Sequence, residues 1–407
     1  MERDAARRVP SAMTSADTQV AVIGGGVVGC AVAHALARRG VDVVLLEAET
    51  ELARGASSAN SGILHTGFDS QPGQLETRLI LRSAALRAQR HDELGVEVHT
   101  CGARLEPRSE EDQAAVARLA ANARANGIEA RLQRDGALTV PGEAVTDPVA
   151  YVHALADAAR AGGATVMLSA RVSELARPPD GALSIEVSDS APLRARAAVN
   201  CAGLFADDVA RLAGETPVQV YPRKGEFLVF SPPPSQPLPP ILLPVPSALG
   251  KGVLVFPTID GMLIAGPTAR EREDKHDWSV EADARELILA RAGARYPPLT
   301  HAREIGAYAG LRPAGRDANY VIEPSRMLPG LIHVAAIRST GLSAALGIGE
   351  YVTDMLARDG RIRLGADLEP AAAHGAARPL HEPSPTRATV PWWQRAVRRS
   401  AESGQAR

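Results

Sequence analysis

The chain has 407 residues, 45% hydrophobic and 23% charged, with Lys plus Arg at 45 against Asp plus Glu at 47. That balance argues against a polyanion-binding surface, and 3% aromatics argues against stacking platforms for single strands, so no nucleic-acid partner is expected. Three widely spaced cysteines, Cys30, Cys101 and Cys201, form no CxxC pair for zinc, iron–sulfur or redox use and suit a reducing compartment.

Residues 1–18 read as a flexible leader, with arginines but no apolar segment that would make a secretory signal. Order is expected from Gln19. VAVI (20–23) reads as a buried strand, GGGVVG (24–29) as a loop, residues 30–40 as a helix and VDVVLLE (41–47) as the next strand, together a βαβ unit. Residues 76–95, 111–127 and 151–161 read as helices, the last after the turn signal TDP. ATVML (164–168), LSIEV (183–187) and AAVN (197–200) read as strands. SPPPSQPLPP (231–240) is a loop, because its prolines cannot donate to a sheet. GVLVF (252–256) and MLIAG (262–266) flank TIDG as a hairpin. LIHVAA (331–336) leads through a turn into a helix over about 342–358. Beyond 365 the chain turns Pro-, Ala- and Arg-rich, and 366–407 reads as a disordered tail. PWWQRAVRR (391–399) within it is taken as frayed, ahead of a weak membrane-surface or partner contact. No apolar run reaches the roughly 18 residues of a bilayer span. The expected location is the cytoplasm, with peripheral membrane contact as the alternative.

Gly24, Gly26 and Gly29 have the GxGxxG spacing. The first makes the tight turn, the second lets backbone N–H groups approach a pyrophosphate, and the third lets helix and strand pack closely. Glu47, at the end of the second strand, is placed to accept from ribose hydroxyls, and its charge disfavours a 2′-phosphate. A glycine-rich turn in a nucleotide-free domain would explain the glycines but not Glu47.

ASSANSGILHTGFDSQPGQLETRL (56–79), VNCAGLFADDVARLAG (199–214), PRKGEFLVF (222–230), GKGVLVFPTIDGMLIAGPTA (250–269), AGLRPAGRDANYVIEPS (309–325) and PGLIHVAAIRSTGLSAALGIGEYV (329–352) resemble segments of the FAD-dependent oxidoreductases of the D-amino-acid oxidase and glycerol-3-phosphate dehydrogenase superfamily. The resemblance implies an α/β fold, α+β overall: a Rossmann-like FAD-binding domain (19–95, 150–220 and 310–365) with an inserted antiparallel-sheet substrate domain (96–149 and 221–309). By motif it lies nearest short glycerol-3-phosphate oxidases and L-2-hydroxyglutarate oxidases. Longer relatives carry a cysteine-rich C-terminal domain, not expected here because no cysteine follows Cys201.

By the same resemblance FAD is the cofactor, contacted by Gly24, Gly26, Gly29, Glu47, Ser57, Ser58, Asn60, Val172, Ala202, Gly203, Gly341 and Leu342. Gly341 opens a helix whose N-terminus suits negative charge on the reduced flavin. His65 matches the family's base, and Arg312 the arginine that grips the anionic group of the substrate. Ser61, Lys251 and Ser339 match further substrate-binding positions. Thr340 stands where relatives often have proline. No metal is expected. The expected reaction is hydride transfer from a small anionic secondary alcohol to flavin. Glycerol 3-phosphate is the first choice, a 2-hydroxy acid such as L-2-hydroxyglutarate the second and an amine or amino acid the third. The electron acceptor is expected to be oxygen, a quinone or a carrier protein. A flavin monooxygenase is disfavoured because none of Asp135-Gly136, Asp180-Gly181 and Asp260-Gly261 falls where its extra motifs belong. His65 and Arg312 together argue against an inert FAD-holding subunit.

Overall fold

The computed structural model describes residues 17–178, 181–232, 237–246, 252–368 and 390–405. Its first sheet is built around Asp17–Ile23, which runs parallel between Val43–Leu46 and Leu193–Asn200. Thr165–Met167 extends the sheet in parallel on one side and Leu331–Ala335 on the other. The hairpin Val172–Ala176/Leu183–Val187 and the strand Val321–Pro324 add antiparallel edges. Central strands buried on both faces need unbroken apolar runs, which VAVI and VVLL provide. Alternate residues serve two cores. Val20, Val22, Val43 and Leu45 face a layer with the helices Val27–Arg38, Leu75–Leu94, Pro148–Ala161 and Gly341–Arg358. Ala21, Ile23, Val44 and Leu46 face the hairpin and the short helix Ala206–Leu212.

A second, nine-stranded sheet is organised by two long strands, Val220–Ser231 and Arg303–Gly315. They pair antiparallel from Val220↔Gly315 to Ser231↔Arg303. The hairpin Leu254–Pro257/Leu263–Gly266 joins its other side. A third, small sheet pairs Ile63–Leu64 and Val98–His99 with Ala144–Thr146.

The expected helices form at Leu75–Leu94, Glu110–Ala125 and Pro148–Ala161, the second capped by Ser109 Oγ accepting from Asp112 N at 3.1 Å. The helix Ala282–Arg295 was not apparent in the sequence: only Ala284, Ile288 and Ala292 mark its buried face. The disordered tail expected over 366–407 is corrected for part of that range, because Trp392–Gln405 is a helix. Trp392, Ala396 and Ser400 recur every four residues on its buried face, a periodicity that the polar composition of the whole tail conceals. Residues 1–16, 233–236 and 369–389, which fall within the expected leader, loop and tail, lie outside the described residues.

Candidate functional site

The carboxyl ends of the parallel strands open on one cavity of about 880 Å³. At one end the glycine loop leaves no space for side chains. Gly24 has φ +112° and a Cβ there would lie 2.5 Å from the Cys201 carbonyl oxygen; a Cβ on Gly29 would lie 1.9 Å from that of Gly24. The helix Val27–Arg38 therefore starts directly on the cavity, and its Val27 N–H donates to Ser57 Oγ at 3.0 Å. Glu47 lies beside this loop, its Oε2 accepting from Gly25 N at 2.6 Å and its Oε1 from Glu49 N at 2.8 Å. Burial pushes its carboxyl above the usual range, and the Glu49 and Gly25 bonds pull it back. A helix N-terminus for phosphates beside a carboxylate for ribose hydroxyls fits a dinucleotide. Val172, Ala202, Gly203, Asn60, Gly341 and Leu342 line the same cavity. Gly29 does not; it serves packing. Ser58 is also absent from the wall, its Oγ donating to the Gly55 carbonyl at 3.0 Å within its own turn.

Farther along, the small sheet positions His65. Its register pairs Ile63 with Val145 and Leu64 with Ala144, so the next positions outward, His65 and Glu143, lie opposite each other. His65 Nδ1 is 2.9 Å from Glu143 Oε2. Glu143 is fully buried, and its Oε1 accepts from both the N–H and the Oγ of Thr66 at 2.7 Å. The His65 N–H donates to Ser343 Oγ at 2.8 Å, fixing the histidine to the helix Gly341–Arg358. An ionised Glu143 places the ring proton on Nδ1 and leaves Nε2 as an acceptor. Nothing in the sequence pointed to Glu143, 78 residues from its partner.

Arg312 belongs to the long strand pair and lies opposite Arg223. Its Nε donates to the Arg223 carbonyl at 3.0 Å, and its Nη2 to the Lys224 and Thr268 carbonyls at 3.3 and 2.8 Å. Among the described residues Nη1 has no acceptor, and the side chain lines the cavity. The guanidinium lies across Gly225, where a Cβ would come within 2.9 Å of Nη2. Burial, with help from Arg223 and Arg338, pulls its pKa down to about 10. Arg223 and Arg338 line the cavity too, giving it a cationic wall in which the sequence pointed only to Arg312 and Lys251.

Ser61 and Ser339 are on the wall. Lys251 lies outside the described residues. Thr340 Oγ1 lies 2.6 Å from Glu76 Oε1 and 2.8 Å from the Tyr320 hydroxyl. The segment before Gly341 is thus held by a buried network. No described helix is long and apolar enough to cross a membrane.

A family model described as FAD dependent oxidoreductase matches residues 19–355. The chain is 30% identical over 355 residues to a glycerol 3-phosphate dehydrogenase of Caloramator mitchellensis, covering 83% of this chain and 73% of that protein. It is 28% identical over 305 residues to an L-2-hydroxyglutarate dehydrogenase of Escherichia coli, covering 69% and 72%. The fold is similar to that of dithionite-reduced L-α-glycerophosphate oxidase from Mycoplasma pneumoniae with FAD bound. That likeness has TM-score 0.79 at 25% identity and covers 86% of this chain and 96% of the other.

Proposed function

This chain belongs to the family of FAD-dependent oxidoreductases, and from that premise we propose that it oxidises a small anionic secondary alcohol to the ketone, with glycerol 3-phosphate the preferred substrate. The observation that carries this reading is His65, bonded to the buried Glu143, on the wall of the same cavity as Arg312. FAD, when bound, supplies the hydride acceptor. His65 Nε2 takes the hydroxyl proton, and Glu143 holds the other ring nitrogen and stabilises the imidazolium that forms. The free Nη1 of Arg312, with Arg223 and Arg338 nearby, attracts the anionic group and sets which carbon faces the flavin. Glu47, the glycine loop and the helix beginning at Val27 hold the dinucleotide end. Three arginines suit a dianionic phosphate. They also suit a dicarboxylate, so L-2-hydroxyglutarate is the second reading, supported by the Escherichia coli relative.

The reading is tested by mixing the FAD-loaded protein anaerobically with glycerol 3-phosphate or L-2-hydroxyglutarate and following the visible flavin band. Glycerol 3-phosphate should bleach it, and His65→Ala should slow the bleaching about 10²–10⁴-fold. Bleaching by L-2-hydroxyglutarate alone would transfer the substrate to the second reading. A spectrum unmoved by both would sink the alcohol assignment while leaving the family in place.

A further inference from the structure

The helix Trp392–Gln405 lies beyond residue 355, where the family match ends, yet it forms part of the cofactor cavity. It packs against the strand Arg303–Gly315 and the turn Ala56–Ala59. Trp392 meets Tyr308 edge-on at 5.7 Å between centroids, and Tyr308 stacks on Phe227 at 4.7 Å. Trp393 Nε1 donates to Asp260 Oδ2 at 2.9 Å. Ser400 Oγ accepts from Ala309 N at 2.9 Å, and Ser403 Oγ from Trp278 N at 3.1 Å. Gly306 leaves the space that Val397 occupies. These contacts fix the helix in rotation as well as position.

So fixed, the helix delivers Arg399 to the cavity wall. Its guanidinium carbon lies 3.5 Å from the centroid of the Trp278 ring, and Nη1 donates to the Arg54 carbonyl. Arg54 begins the short run that reaches Ser57, the residue bonded to the first N–H of the helix Val27–Arg38. Arg399 thus stands on the phosphate side of the cavity. Burial and the Arg54 charge disfavour its cationic form, and the Glu49 and Glu402 charges only partly offset them. No carboxylate among the described residues forms an ion pair with it. A well-placed, partly buried arginine with no ion-paired carboxylate among the described residues is what a phosphate ligand would complete.

We propose that Arg399 is a cofactor-binding residue, supplied by a helix beyond the residues that the family model matches, and that it contacts the pyrophosphate of FAD. The proposal rests on the FAD assignment and is independent of the substrate.

The test is titration of the full-length apoprotein with FAD by flavin fluorescence, with ADP as competitor, for the native chain, Arg399→Gln and Arg399→Lys. Arg399→Gln should weaken FAD and ADP together, by about tenfold for one charge-assisted contact, and Arg399→Lys should recover part of the loss. Added salt should narrow the gap between native and Gln proteins. FAD and ADP affinities unchanged in Arg399→Gln would overturn the proposal. Weaker FAD with unchanged ADP would also overturn it, because Arg399 would then act at the flavin end. Should Arg399→Gln fail to fold, Arg399→Met keeps the stem on Trp278 without the charge and is read the same way.

Discussion

Glu143 has both oxygens committed, one to two Thr66 donors and the other to His65 Nδ1. A glutamine cannot reproduce this pattern, since it has one accepting oxygen and one donating nitrogen. If its oxygen keeps the Thr66 bonds, its amide hydrogens meet Nδ1 and force that nitrogen to accept. The ring proton then moves to Nε2, and the side chain loses its capacity as a base. Glu143→Gln is therefore expected to slow anaerobic flavin reduction by roughly 10²–10⁴-fold, by analogy with other orienting carboxylates. FAD affinity should be unchanged. Glu143→Asp, which keeps two acceptors, should recover part of the rate. A Glu143→Gln protein that reduces its flavin at the native rate would show that this carboxylate does not orient the base. His65 was legible because a recognisable stretch surrounds it. Glu143 was not, because only the strand register brings the two together and the sequence does not display that register.

At the scale of elements, the helices Val27–Arg38 and Leu75–Leu94 are joined by a polar clasp near the C-terminal end of each. Glu93 Oε1 lies 2.9 Å from buried His34 Nε2, and Glu93 Oε2 accepts from Arg38 Nη1 at 2.7 Å. Burial alone would raise the Glu93 carboxyl, but the His34 and Arg38 contacts outweigh it and hold the carboxyl down at about 2. The folded value is depressed, so the clasp contributes fully above the ordinary carboxylate range and its contribution disappears as pH falls through about 2. Glu93→Gln should lower stability at pH 7 by on the order of 2 kcal/mol, as expected for removing a charge-assisted, half-buried contact. The difference from the native protein should shrink steadily between about pH 4.5 and pH 2. Urea melts of the FAD-loaded protein across that range provide the check, and a pH-independent difference would assign the loss to packing. Most helices were legible from periodicity and caps such as Ser109. The clasp was not, because it depends on which faces of two helices meet.

For the whole molecule, the second sheet meets the turn Ala56–Ala59 on the cavity wall at a point with no room for side chains. A Cβ on Gly310, in the strand that carries Arg312, would lie 2.4 Å from the Ala59 carbonyl oxygen. The parallel sheet was legible from its apolar runs and glycine loop. The brace across the junction was not, since it comes from a segment whose overall composition reads as tail. Trp392 is the centre of that brace: it is 2% exposed, and its Nε1 has no hydrogen-bond partner in the described structure. The two facts make opposite predictions for two substitutions. Trp392→Ala removes the whole ring beside Tyr308 and should cost about 3–5 kcal/mol. Trp392→Phe keeps an aromatic edge and removes a buried unsatisfied donor, so its smaller area is partly offset and it should cost within about 1 kcal/mol. Thermal unfolding of the apoprotein separates the two. If both variants melted with the native chain, the helix would be detached in solution. Near-native Trp392→Phe beside a strongly lowered Trp392→Ala would mean that the last helix is an integral wall of the cavity, held by shape against Tyr308 and Phe227 rather than by the indole N–H.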